Sequence, residues 1–217
     1  MAEILPVNRT KQQARRYYDR ISGIYDWLTI SEAPLIEKGV KQLNISPGES
    51  ILEVGCGTGR GLSLMARGLN SQGGLIGLDL SRKMLSVSRK KTEETQPKPD
   101  LIQGDATRLP VQAGQIDALF CSFTLELFAA DEIVIVLHEF RRVMKPSGRL
   151  GVVALAQEPR NLSVRLYEFA HKLFPVAIDC RPIPLVALLQ ENGFEVTTSA
   201  IEKNWGLPVH ITTCKKS

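Results

Sequence analysis

The residues best suited to chemistry lie in short loops that each follow an apolar run. The first is Glu53-Val54-Gly55-Cys56-Gly57-Thr58-Gly59. Glycines at this spacing let the backbone turn sharply and approach a ligand closely, and a helix starting just after them offers free N–H groups. The second is Asp79, which ends the run Leu75-Ile76-Gly77-Leu78. A carboxylate at such a strand end can accept both hydroxyls of a ribose. Taken alone, Asp79 reads equally well as an acid at the start of the helix that Leu80 and Ser81 open; beside the glycine loop, the nucleoside reading is the stronger one. The third is Gln103-Gly104-Asp105-Ala106, where an acid could accept from an adenine amino group. Met84 could pack on an adenine face or serve as ordinary core. A hydride-transfer dinucleotide fingerprint wants a third glycine where Arg60 stands, which weakens that alternative.

Positioning these loops requires strands that end beside one another. Apolar, β-rich runs occur at Ile51 to Val54, Leu75 to Leu78, Ile116 to Phe120, Leu150 to Leu155, Phe194 to Ile201 and Val209 to Cys214, with a short one at Leu101-Ile102. Helical stripes fall between them. Leu62, Met65, Ala66 and Leu69 form one, and Ile133, Val136, Leu137, Phe140 and Met144 form another. Alternation of this kind predicts an α/β, Rossmann-like, doubly wound sheet of seven mostly parallel strands, closed by an antiparallel C-terminal hairpin that turns at Trp205-Gly206-Leu207-Pro208. Turn chemistry at Ser46-Pro47-Gly48-Glu49, Lys145-Pro146-Ser147-Gly148 and Asn192-Gly193 marks three strand starts. Ligands bind such sheets outside the carboxyl ends of the strands, hence at the loops after Val54, Leu78, Ile102 and Phe120.

Composition narrows the function classes. The chain has 217 residues, 43% of them hydrophobic, which suits one globular domain. Lysine and arginine total 27 against 23 acids, a net charge of +4 that is no nucleic-acid footprint. Cys56, Cys121, Cys180 and Cys214 are far apart, with no CxxC and no histidine at metal spacing, so neither a zinc site nor a disulfide framework is expected. The N-terminal stretch carries Arg9, Lys11, Arg15, Arg16 and Arg20 without the apolar centre of a secretory signal, and no run approaches a membrane span. A cytoplasmic protein is expected, with a peripheral membrane contact left open by the basic N-terminus.

The run Ile51-Leu52-Glu53-Val54-Gly55-Cys56-Gly57-Thr58-Gly59, the pair Leu78-Asp79, the triplet Gly104-Asp105-Ala106 and the segment from Leu137 through Met144-Lys145-Pro146-Ser147-Gly148 resemble the class I S-adenosylmethionine-dependent methyltransferases. That resemblance implies S-adenosylmethionine as cofactor and S-adenosylhomocysteine as product. Glu53, Gly55, Cys56 and Gly57 would hold its methionine part, Asp79 and Leu80 its ribose, and Met84, Gly104, Asp105 and Ala106 its adenine. Cys121 and Ser122 would line the sulfonium. Tyr18-Asp19-Arg20-Ile21-Ser22-Gly23-Ile24-Tyr25-Asp26 looks like the N-terminal element of the ubiquinone and menaquinone C-methyltransferases and related phospholipid N-methyltransferases, where it forms a lid. The chain is shorter than the quinone enzymes and lacks their asparagine-rich and Trp-Arg continuation after Trp27. One domain over 1–217 is expected, with an N-terminal helical lid at 1–44, a cofactor-binding core at 45–155, a substrate-side insert at 156–192 and terminal strands at 193–217.

A sulfonium methyl is already electrophilic, so in-line transfer needs alignment and the exclusion of water; positioning can supply about 7–11 kcal/mol. A ring carbon or an amine also gives up a proton. Tyr25 in the lid, and His171 and Asp179 in the insert, are the candidate catalytic residues, whereas His138 and His210 read as surface or packing. Leu162, Leu166, Phe169, Ala170 and Leu173 form an apolar face in the insert that fits an apolar substrate, a membrane surface or a cap on the domain's own core; with the resemblance, a small lipophilic acceptor such as a quinol precursor is expected. A phospholipid amine, or a nucleoside-cofactor-binding protein without catalysis, are the alternatives.

Overall fold

Neighbouring residues on the strands send their side chains to opposite faces of the central sheet, and both faces are covered. In a computed structural model describing residues 4–7, 9–157, 164, 167, 169 and 180–217, the strands are β1 (Ser50–Val54), β2 (Gly74–Asp79), β3 (Asp100–Gln103), β4 (Ile116–Ser122), β5 (Met144–Leu155), β6 (Phe194–Asn204) and β7 (Leu207–Lys216). They lie in the order β3-β2-β1-β4-β5-β7-β6. β1 to β5 pair in parallel, and β7 runs antiparallel between β5 and β6.

Ile51, Ala118, Phe120 and Val153 pack on one face against α3 (Ala33–Leu43), α4 (Arg60–Leu69) and Leu85 of α5 (Arg82–Lys91). Leu52, Leu119, Cys121 and Val152 pack on the other against α6 (Ala130–Val143) and α7 (Leu185–Glu191). The stripe Leu62, Met65, Ala66 and Leu69 is fully buried on α4, and each buried leucine contributes about 1.5–3 kcal/mol relative to exposure. Gly39 lets α3 lie close to the sheet: a Cβ there would meet Val153 Cγ2 at 2.5 Å.

Two local expectations are corrected. Met144 is buried, but in β5 and not on the helix, which stops at Val143. Lys145-Pro146-Ser147-Gly148 does not precede its strand: Ile116 pairs with Met144 and Ala118 with Arg149, so the turn residues bulge out within β5.

Two short helices, α1 (Lys11–Ile21) and α2 (Tyr25–Leu28), precede α3 and cover the carboxyl edge of the sheet. Thr10 and Gln13 form a capping box that fixes the start of α1. Arg181 is buried and donates to the carbonyls of Leu5 and Phe128. It ties the N-terminal residues to the loop after β4. Asp179 lies outside the described residues, as does His171. Glu126, in that same loop, is also fully buried, and burial pushes its carboxyl up to about 8 despite a hydrogen bond from the Leu155 N–H. Among the described residues no helix is long and apolar enough to cross a membrane, and no group of side chains assembles to hold a metal ion.

The final hairpin turns tightly, with Asn204 opposite Leu207 and only Trp205-Gly206 between them. Both have positive φ, 52° and 80°, as a type I′ loop requires. A bulky residue is unfavourable at the first of these positions, by about 1 kcal/mol. Trp205→Asn is expected to leave thermal stability unchanged or to raise it, in a denaturation curve on the purified variant. A clear loss would show that the Trp205 indole bond to Ser31 Oγ, at 2.8 Å, outweighs the turn strain. Glu126 generates a second expectation. Between about pH 4.5 and 8 the folded state keeps a proton that the unfolded chain has released, so stability falls as pH rises, by about 1.4 kcal/mol per pH unit. Glu126→Gln removes that proton exchange, and its denaturation midpoint should fall less over the same range; a slope equal to that of the wild type would refute a neutral Glu126.

Candidate active site

The glycine loop after β1 is built by three positive-φ residues, Gly55, Gly57 and Gly59. They answer to different constraints. A Cβ on Gly55 would sit 2.2 Å from Thr124 Oγ1 and one on Gly59 2.4 Å from Ser88 Oγ, whereas Gly57 faces open space. The N–H groups of Gly55 and Cys56 both donate to the Leu78 carbonyl, at 2.8 and 3.0 Å, which keeps the loop against the end of β2. α4 then starts at once, and Arg60 and Gly61 line the same cavity as the loop.

Asp79 binds two loops together. Its Oδ2 accepts from the Gly57 N–H and its Oδ1 from the Ser81 N–H, each at 2.8 Å. Loss of hydration raises its pKa to about 6, against the lowering effect of those two donors. The carboxylate keeps acceptor capacity for a ligand hydroxyl. Glu53, at the end of β1, is buried under the loop; a Cβ on Gly61 would lie 2.1 Å from its Oε1. Burial holds its carboxyl well above the ordinary range although the Leu62 N–H donates to it, and Oε2 has no hydrogen-bond partner. An unsatisfied, desolvated acid lining a cavity suits a cationic ligand group.

Long-range polar contacts fasten the N-terminal helices over this cavity. Lys11 Nζ reaches Asp105 Oδ2 at 2.7 Å, Glu132 Oε1 at 2.9 Å and Thr107 Oγ1 at 3.1 Å. Asp19 Oδ1 accepts from Ser81 Oγ at 2.6 Å. Asp26 accepts from Thr58 Oγ1 at 2.5 Å and from Lys91 Nζ; burial alone would raise its pKa, but these donors hold it below the ordinary value. Tyr18 and Tyr25 meet edge to face, with centroids 6.1 Å apart, and both line the cavity.

The structure brings Tyr25, Glu53, Gly55, Cys56, Gly57, Asp79, Leu80, Met84, Gly104, Asp105, Ala106 and Ser122 around that one cavity. Cys121 is not among its lining. It precedes Ser122 on β4, so strand alternation sends its side chain into the core beneath α6. Asp105 lines the cavity, yet its Oδ2 is taken by Lys11 and its Oδ1 by the N–H and hydroxyl of Thr107. Lys11 and Lys91 were not legible as site residues, because their partners lie far away in sequence. Only Glu126 left a local signal, an acid set among Leu125, Leu127 and Phe128.

Residues 51–148 match the methyltransferase domain family. The demethylmenaquinone methyltransferase of Lactobacillus johnsonii is 36% identical over 143 residues, 64% of this chain and 57% of that protein. The 2-phytyl-1,4-naphtoquinone methyltransferase of Trichormus variabilis is 26% identical over 72% of this chain and 70% of its own length. The chain thus spans little more than half of the first of these relatives. Among solved structures, the magnesium protoporphyrin IX methyltransferase of Synechocystis with bound S-adenosylhomocysteine superposes with a TM-score of 0.75, at 18% identity over 96% of this chain and all of that one. The [4+2]-cyclase SpnF superposes with a TM-score of 0.78, at 18% identity over 98% of each chain. Those likenesses establish the fold, and the match over residues 51–148 shows that this segment is similar to the methyltransferase domain family; the chain resembles the class I S-adenosylmethionine-dependent methyltransferases, the demethylmenaquinone methyltransferases among them.

Proposed function

We propose that this chain transfers the methyl group of S-adenosylmethionine to a small lipophilic acceptor of the quinol type. The observation that carries the reading is a single cavity whose floor is the glycine loop with Glu53 and Asp79 and whose cover is the tyrosine-bearing N-terminal segment. The residues fit the cofactor. Asp79 has acceptor capacity for a ribose, the unpartnered Oε2 of Glu53 suits an ammonium, and the open space at Gly57 admits close approach. When bound, the cofactor supplies an electrophilic methyl. The chain's part is to orient the acceptor and exclude water, and Tyr18, Tyr25, Phe123 and Phe128 give the cavity an aromatic, largely apolar lining. Glu32 also lines the cavity and offers a carboxyl group that can accept the proton that a methylated ring carbon releases. The quinone names of the relatives support carbon as the attacked atom.

A second reading is cofactor binding without methyl transfer; a protein named as a [4+2]-cyclase shares this fold, so the fold alone does not fix methyl transfer. Methyl release from labelled S-adenosylmethionine across demethylated quinol and phospholipid extracts separates them. Turnover confined to quinols is the expected result; tight binding with no turnover on any extract supports the second reading, and turnover on phospholipid amines would move the acceptor from carbon to nitrogen.

Cofactor affinity should carry the titration of Asp79. A ribose donates to the ionised carboxylate, so affinity is full above about pH 6 and falls as pH drops below it, approaching tenfold per pH unit. Calorimetry with S-adenosylhomocysteine at several pH values reads this directly. Asp79→Ala should weaken binding by about 1.5–3 kcal/mol at neutral pH and flatten the profile; unchanged affinity would remove Asp79 from the ribose site.

A further inference from the structure

We propose that the rim of the cavity docks on an anionic lipid bilayer through the turn around α2 and the tip of the β6–β7 hairpin. The stretch from residue 24 to residue 30 has two faces. Tyr25, Asp26 and Thr29 line the cavity, while Ile24, Trp27, Leu28 and Ile30 are exposed, Trp27 to 75%. The hairpin tip joins them. β7 is antiparallel to β5, with Val209 opposite Leu155, so its first residues lie at the carboxyl edge of the sheet, where the cavity opens. There Trp205 is 86% exposed and its indole N–H donates to Ser31 Oγ at 2.8 Å.

Neither packing nor turn chemistry accounts for Trp205. It buries little and occupies a left-handed position that asparagine or glycine fills more readily. Two indoles with three aliphatic side chains, grouped at the entrance to an apolar cavity, match what inserts at a membrane interface. The neighbouring charge favours an anionic surface. Arg15, Arg16 and Arg20 are exposed on α1 and Lys203 beside the hairpin tip, whereas the nearby acids Asp19, Asp26 and Glu202 are bonded to Ser81, Lys91 and Lys38. Contact at this rim would let a lipophilic acceptor pass from bilayer to cavity without crossing water, a purpose that rests on the proposed function; the docking itself does not.

Trp27 and Trp205 are the only tryptophans in the chain, so intrinsic fluorescence reports on this surface alone. The test uses the full chain with vesicles of phosphatidylcholine alone or mixed with phosphatidylglycerol, read by sedimentation and by tryptophan emission. Sedimentation with a blue-shifted emission is expected for the mixed vesicles. Trp27→Ala with Trp205→Asn should abolish sedimentation while the variant still melts cooperatively. Arg16→Gln with Arg20→Gln, which keeps both indoles, should weaken binding to mixed vesicles on the order of tenfold. Absence of sedimentation, or equal sedimentation of the tryptophan variant, overturns the proposal. So does a blue shift without lipid that tracks a concentration-dependent rise in mass, which would give the surface to a second copy of the chain. Calorimetry with S-adenosylmethionine on the same preparation keeps the two readings apart: cofactor binding without vesicle binding defeats the docking alone, and vesicle binding without cofactor binding defeats the function alone.

Discussion

Asp79 is the point on which the site turns. It ends β2, and its two oxygens are held by N–H groups from two separate loops, Gly57 after β1 and Ser81 before α5. A single carboxylate therefore fixes the shape of the glycine loop, the entry of α5 and the floor between them. The arrangement works only because β1 and β2 are parallel neighbours, with Val54 opposite Leu78, so that both strands deliver their loops to one edge. Desolvation opposes it and raises Asp79 to about 6, against the lowering effect of its backbone donors and with the neighbouring Asp19 adding to the rise. A ligand that donates hydroxyl hydrogens completes the shell.

The same edge explains which parts of the site were legible in the sequence. Gly55, Gly57, Asp79, Gly104 and Asp105 sit one to three residues beyond apolar runs, so local pattern and the geometry of parallel sheets suffice to place them together. The cover is different. Lys11 meets Asp105 and Glu132, Asp26 meets Lys91 and Thr58, and Arg181 meets Leu5 and Phe128, contacts fixed by the way the chain wraps and by no local motif. Cys121 shows the finer limit. The loop after β4 was located correctly, but which of two adjacent residues faces the cavity depends on strand parity, and parity favours Ser122. At Met144 the helical stripe continued in the sequence past the true helix end, because a buried methionine fits a helix face and a strand equally well.

Two buried titratable groups beside the loop after β4, Glu126 and Arg181, lie close enough to influence each other without forming a direct ion pair. Burial pushes Glu126 up to about 8 and Arg181 down to about 10. Replacing such groups with apolar residues often costs nothing in stability, so their retention is weak evidence of a stabilising role. Their position is more informative. Glu126 hydrogen-bonds the end of β5 through Leu155, and Arg181 holds Leu5 and Phe128, the latter a cavity-lining residue. Together they fix the loop after β4, which carries part of the cavity wall, by directional bonds to Leu155 and Phe128.

The cover itself is attached by a different kind of force from the core. Neither α1 nor α2 has a fully buried residue, and their contacts to the sheet edge include ion pairs among half-exposed groups, Lys11 with Asp105 and Asp26 with Lys91. Exposed pairs of this kind contribute about 0–1 kcal/mol each, far less than the leucine-rich faces of α4 or α6. A cover held in this way can lift without disturbing the sheet, which exchange of a cofactor for its product requires. Screening by salt weakens it further, since its clasps are largely electrostatic. Burial of the indole and aliphatic surface beside it does not fade with ionic strength. Opening of the cavity thus depends on electrostatic clasps, whereas the proposed docking of the rim would combine apolar burial, which salt spares, with the attraction of Arg16 and Arg20 for anionic lipid, which salt screens.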